Sequence, residues 1–215
     1  MMQQIEQNET EEDVRDCVGI LCFATAALRP VSTFEIGHLA NVSNDIADDP
    51  QSAADLVALC GSFLSIRDGY IYFIHQSAKD YFTIGTGKRL LTSGLTEEHR
   101  RIFRKSHMLM SDILRRDMCR LQAPGIEIEE AAQEVDKIPG KILYPCLYWI
   151  EHASQVLSVY KDDAYIMRDI ESFFKSHLLH WLEVMSLMGK SRECVNMTRE
   201  LSKYLAVNAP SKWFS

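Results

Sequence analysis

Several features are missing from this 215-residue chain, and each absence narrows what it does. No apolar run approaches the roughly 20 residues that a helix needs to cross a bilayer. Met1 to Asp16 is polar and acidic. It has neither the apolar segment of a signal peptide nor the basic, acid-free character of a mitochondrial presequence, so a cytoplasmic location is expected. The six cysteines are Cys17, Cys22, Cys60, Cys119, Cys146 and Cys194, and no two are separated by only two residues. Neither a zinc site nor a disulfide framework is expected, and the thiols read as buried and reduced.

Positive charge is also scarce where one class of function needs it. No Lys or Arg occurs between Pro30 and Ile66, whereas Glu35, Asp45, Asp48, Asp49 and Asp55 do, and the formal net charge is -7. A helix that reads DNA needs cations on itself and its neighbours. A phosphate loop is missing as well. Gly85-Thr86-Gly87-Lys88 resembles the end of one, but Phe82 stands where the first Gly belongs, and Arg89 follows Lys88 where Ser or Thr is required. No strained nucleophile elbow is present. Ser77, Lys79 and Asp80 follow His75, but a short helix scatters them around its axis. No catalytic residue is assigned, and the chain is expected not to be an enzyme.

What is present is a globular composition, 47% apolar and 25% charged, which is not that of a disordered chain. Val14, Cys17, Val18, Leu21, Ala24 and Leu28 recur at helical spacing over 13–28, and Arg29-Pro30 ends the run. Ser32 and Glu35 form a capping box, with Val31 and Ile36 placed as a staple, for a second helix that fades near Ala40. Asp49-Pro50 starts a third helix, over 50–61, which Gly61 stops. Residues 63–67 and 70–74 then flank Asp68-Gly69, the pair favoured in a two-residue type I′ hairpin. A short helix follows at 77–82.

Beyond the Gly-rich punctuation of 85–94, the chain reads as helices. One runs from Thr96 to about Met118, and a loop covers 121–139. The next contains Leu147 and Ile150, with Pro145 in its first turn. Further helices are expected near 164–176, 178–188 and 192–205, with Gly189 separating the last two. His177, His180 and Glu183 are three apart, yet the stretch is dense in apolar residues, so an amphipathic helix is expected rather than a metal site. Arg100, Arg101, Arg104 and Lys105, with Arg115, Arg116 and Arg120, share the long helix and its end. Such a set forms either a solvated face or a docking surface for an acidic partner.

Four strings in order, FIHQSAKDYF (73–82), LRRDMCRLQAPG (114–125), CLYWIEH (146–152) and HLLHWLEVMSLMGK (177–190), resemble the segment downstream of the NACHT domain in fungal STAND proteins. These are NLR-like signalling ATPases, some linked to vegetative incompatibility. The resemblance covers about residues 13–205. It implies a winged helix over 13–84, a linker over 85–94 and a helical domain over 95–205, with a polar lead-in at 1–12 and a frayed tail at 206–215. It further implies a histidine at the end of the wing that touches the β-phosphate of bound ADP. The matching residue is His75, although Gln76 stands where the animal and plant pattern has Asp.

The expected fold is therefore mainly α: a winged helix with a small β-hairpin wing, then an α-helical domain. The expected function is that of a non-catalytic regulatory and interaction region of a NACHT-type signalling protein. The chain itself holds no cofactor, ADP and ATP being implied for the full architecture. The expected partners are a NACHT ATPase core, in cis or in trans, and a second copy of the chain, with no nucleic acid and no membrane. A winged-helix DNA-binding regulator is the first alternative, to be recognised by duplex binding at physiological salt. A cryptic hydrolase is the second, to be recognised by turnover that depends on His75 or Ser77.

Overall fold

A computed structural model describes residues 10–47, 49–61, 63–91, 93–119 and 138–208. These residues are mainly α-helical, with one small three-stranded antiparallel sheet. The chain divides into two compact units, Met1–Ile102 and Phe103–Ser215.

In the first unit, helix α1 (Glu11–Ala26) starts at a capping box. The Thr10 hydroxyl accepts the Asp13 amide at 3.2 Å, and the Asp13 carboxylate accepts the Thr10 amide at 3.1 Å. Such a cap contributes about 1 kcal/mol. The inner face of α1 buries Cys17, Ile20, Leu21 and Phe23. Gly19 is required by a close approach of two backbones, because a Cβ there would lie 2.2 Å from the Asn41 carbonyl oxygen.

Strand β1 (Val31–Ser32) leads into α2 (Thr33–Leu39). Ser32 and Glu35 form the reciprocal cap that the sequence indicates, and Ala40 ends the helix. Glu35 is almost fully buried, and its carboxylate also takes a bidentate pair from Arg29 at 2.6 and 2.9 Å. A short helix, α3 (Asn44–Ala47), comes before α4 (Pro50–Leu59). Asp49 caps α4 by accepting from the Gln51 amide at 3.0 Å, and Pro50 takes the first position, where no N–H is needed.

Strands β2 (Leu64–Arg67) and β3 (Tyr70–Phe73) form the hairpin, in register from Leu64↔Phe73 to Arg67↔Tyr70. Asp68 (φ 51°) and Gly69 (φ 77°) both take the left-handed conformation, as a type I′ turn demands. β1 pairs with the other edge of β3, Val31↔Ile71 and Ser32↔Tyr70, giving the order β1-β3-β2. Helix α5 (Gln76–Thr83) and a 3-10 turn, Thr86–Leu90, follow. Gly87 is buried under the Tyr81 ring, where a Cβ would approach Cε1 to 2.2 Å. The glycines of Gly85-Thr86-Gly87-Lys88 thus have a packing role. Helix α6 (Leu95–Ile113) begins in this unit and passes the division at Ile102.

The second unit holds the rest of α6, then α7 (Leu143–Val159), α8 (Ala164–Leu187) and α9 (Ser191–Asn208). Pro145 lies in the first turn of α7, where its missing N–H removes no helical bond. α8 is one helix where two were expected, over 164–176 and 178–188. No Gly or Pro interrupts it, and Ile166, Ile170, Phe173, Trp181 and Val184 bury one continuous face. It stops at Gly189, whose φ of 68° ends the helix. The core centres on Trp149, fully buried, with its ring centroid 4.6 Å from Phe173 and 5.8 Å from Trp181. The Trp181 indole N–H donates to the Cys146 carbonyl at 3.0 Å. Residues 1–9 of the expected lead-in, most of the 121–139 loop, Arg120 and the end of the tail lie outside the described residues, whereas Thr10 to Glu12, expected in the lead-in, form the cap and first turn of α1.

Candidate functional site

The hairpin delivers His75 to an exposed position. The Ile74 amide closes the ladder on the Phe63 carbonyl at 2.9 Å. His75 is still extended (φ -148°, ψ 152°) and is the N-cap of α5. Its Nδ1 accepts from the Ser77 amide at 3.2 Å and from the Ser77 hydroxyl at 2.9 Å. An amide can only donate, so Nδ1 carries the lone pair and the neutral ring holds its proton on Nε2. The exposed imidazole therefore presents an N–H donor. The next residue, Gln76, bonds within its own helix to Asp80 at 2.9 Å.

The Ser77–His75 contact is not a nucleophile–base pair of the usual kind. No carboxylate bonds to the imidazole among the described residues, and the serine backbone shares the same nitrogen. Beside α5 lies a groove of about 310 Å³, walled by Leu28, Val31, Ile71 and Tyr72, with Arg29 and Lys79 on its lining.

The basic residues separate into two groups. In the first unit Arg100 pairs with Glu97 at 2.8 Å and Arg101 pairs with the buried Glu98. In the second unit Arg104 is exposed and Lys105 half-buried on α6, and Arg115 and Arg116 are exposed in the turn that follows it. The rings of His177 and His180 lie 5.6 Å apart on α8, while Glu183 accepts from the Asp117 amide at 3.2 Å. No group of three metal-ligating side chains occurs among the described residues. None of the six cysteines is in a disulfide, and all are buried. The meeting of Cys60, whose thiol donates to the Cys17 carbonyl at 3.8 Å, with Cys17, 43 residues away in sequence, has no signature in the spacing.

The chain is 35% identical, over 222 residues, to the vegetative incompatibility protein HET-E-1 of Podospora anserina, in an alignment that covers 94% of this chain and 16% of that protein. The chain has a fungal, NACHT-type, NLR-like relative. It spans about one sixth of the length of HET-E-1. The likeness to HET-E-1 agrees with the family that the four strings indicate. No family model and no solved structure matches the chain. No helix among the described residues is long and apolar enough to cross a membrane.

Proposed function

We propose that this chain is a non-catalytic regulatory region of a NACHT-type signalling protein. In this reading the first unit is a winged helix that holds a neighbouring NACHT ATPase core in its ADP-bound state. The helical unit passes a sensor signal on to oligomerisation. The observation that carries the proposal is the cap at His75: Nδ1 accepts the Ser77 amide at 3.2 Å, which turns the other ring nitrogen outward as a donor at the end of the wing. A phosphate oxygen of ADP is a suitable acceptor for that donor. Exchange of ADP for ATP moves the phosphate that the ring engages and so weakens the closed state.

The element order α1-β1-α2-α3-α4-β2-β3, in which α3 is a single short turn before α4, and the sheet order β1-β3-β2 support the winged-helix reading. The absence of Lys and Arg from α4 argues for packing on protein rather than on nucleic acid. Arg104, Arg115 and Arg116 are the cations offered to an acidic partner. The chain acts in the cytoplasm in this reading, its partner core in cis or in trans. The test is binding of the whole chain to a separately produced NACHT core from a HET-E-1-like protein, measured by calorimetry. Binding at least tenfold tighter with ADP than with a non-hydrolysable ATP analogue is expected. Equal affinity in the two nucleotide states would refute the clamp.

A further inference from the structure

The first unit brings two cysteines together from α1 and the end of α4. Cys17, on the inner face of α1, is 1% exposed, and Cys60, the C-cap of α4, is fully buried. The Cys17 thiol points at the Leu56 carbonyl at 3.7 Å, and the Cys60 thiol at the Cys17 carbonyl at 3.8 Å. Each thiol proton thus goes to a backbone carbonyl, while the Cys17 side chain lies close enough to Cys60 to raise its thiol. Cys60 sits where α4 hands over to the hairpin, and its carbonyl accepts the amides of Phe63 and Leu64 at 2.8 and 3.2 Å. A bond between these sulfurs would tie α1 to the base of the wing and close a loop that holds β1, α2, α3 and α4.

We propose that Cys17 and Cys60 are a dithiol that hydrogen peroxide converts to a disulfide, and that the bridge locks the first unit closed. The chemistry takes two steps. One thiol, as its thiolate, attacks peroxide; the O–O bond breaks, the sulfur becomes a sulfenic acid, and hydroxide leaves and takes up a proton as water. The second thiol then displaces the hydroxyl group from the sulfenic sulfur, forming the S–S bond and a second water. Two thiols lose two electrons in total, and one peroxide gains them.

Burial controls when this happens. Inside the folded unit the Cys60 thiol stays protonated, because the neighbouring Cys17 side chain and the loss of water raise it. Both sulfurs are shielded from solvent in the folded unit. Oxidation therefore proceeds through opened molecules, and the bridge then opposes reopening. The neighbouring Cys22, on the same helix, has its thiol pushed up to about 11 by burial.

The experiment treats the full chain with millimolar peroxide, quenches, unfolds and alkylates. The six alkylated thiols fall to four, and a digest cut at Leu21, Phe23 and Phe63 separates Cys17 from Cys22 and yields linked fragments carrying Cys17 and Cys60. The melting temperature of the first unit rises by roughly 5 °C and returns with dithiothreitol, and mild urea accelerates bridge formation. The Cys22→Ser variant keeps the bridge, whereas Cys17→Ser and Cys60→Ser each lose it. The mapping on the native chain stands even if a serine variant fails to fold. A count that stays at six, a bridge between other cysteines, or a bridged protein that melts below the reduced one would overturn the proposal.

Discussion

His75 and Ser77 form a closed local loop in which one imidazole nitrogen serves two donors of the same residue, the amide at 3.2 Å and the hydroxyl at 2.9 Å. This loop starts α5 and at the same time orients the ring. A structural role and a sensing role therefore coincide in one side chain, and they separate only in variants that keep one without the other.

Asparagine supplies such a separation. It is a good N-cap but lacks an Nε2–H at the same reach. His75→Ala should cost the first unit about 1 kcal/mol through loss of the cap, whereas His75→Asn should stay within about 0.5 kcal/mol of the native chain. Urea unfolding followed by circular dichroism checks both. An alanine variant as stable as the native chain would show that the cap contributes nothing.

Gly19→Ala tests the crossing of α1 with the segment after α2. On helix propensity alone the change should stabilise by about 1 kcal/mol. The added Cβ would lie 2.2 Å from a backbone carbonyl oxygen, which cannot rotate away. We expect net destabilisation of about 2 kcal/mol, read as a lower urea midpoint with an unchanged slope.

Two histidines make stability depend on pH. Burial pushes His99 down to about 4. Burial also lowers His107, against the opposing pull of the nearby Asp169. A depressed histidine means that the unfolded chain binds more protons than the folded one below the usual value of 6.5, so stability rises with pH in that window. The contribution is complete above pH 6.5 and is lost as pH falls towards 4. For His99 it is on the order of 2 kcal/mol once solvent screening is allowed for. Unfolding at pH 7.5 and pH 5 should show the loss, and His99→Gln should reduce it. A native chain equally stable at both values would contradict the assignment.

Apolar side chains that face water predict self-association of the isolated chain. Ile84 is 84% exposed in the first unit, with Ile74 and Tyr70 also open to solvent, and Leu179 is 76% exposed in the second. Light scattering over a concentration series should give a mass that climbs above that of the monomer. A constant monomer mass at high concentration would show that these side chains do not form an adhesive surface.

The sequence is legible where the physics is local. The turn at Asp68-Gly69, the capping box of Ser32 with Glu35, and the Asp49-Pro50 start depend on a few neighbouring residues, and each occupies its expected place. β1 was not legible. Two residues have no periodicity, and the strand exists only because Val31 and Ser32 meet Ile71 and Tyr70 some 40 residues later. The division of α8 into two helices failed because nothing in 164–187 stops a helix, so the apolar stripe continues through His177. His75 could be located from the hairpin alone, but its tautomer could not. The salt bridges of Arg100 and Arg101 follow from Glu97 and Glu98 three residues earlier. The meeting of Cys17 with Cys60 is wholly tertiary and leaves no mark in the spacing.

The most direct test is the lifetime of bound ADP on a longer protein in which a NACHT core from a HET-E-1-like relative precedes these residues. With labelled ADP chased by excess unlabelled nucleotide, the native sequence should hold ADP at least tenfold longer than either His75→Ala or His75→Asn, although the asparagine variant keeps the cap. Release of ADP at the native rate from both variants would contradict the account.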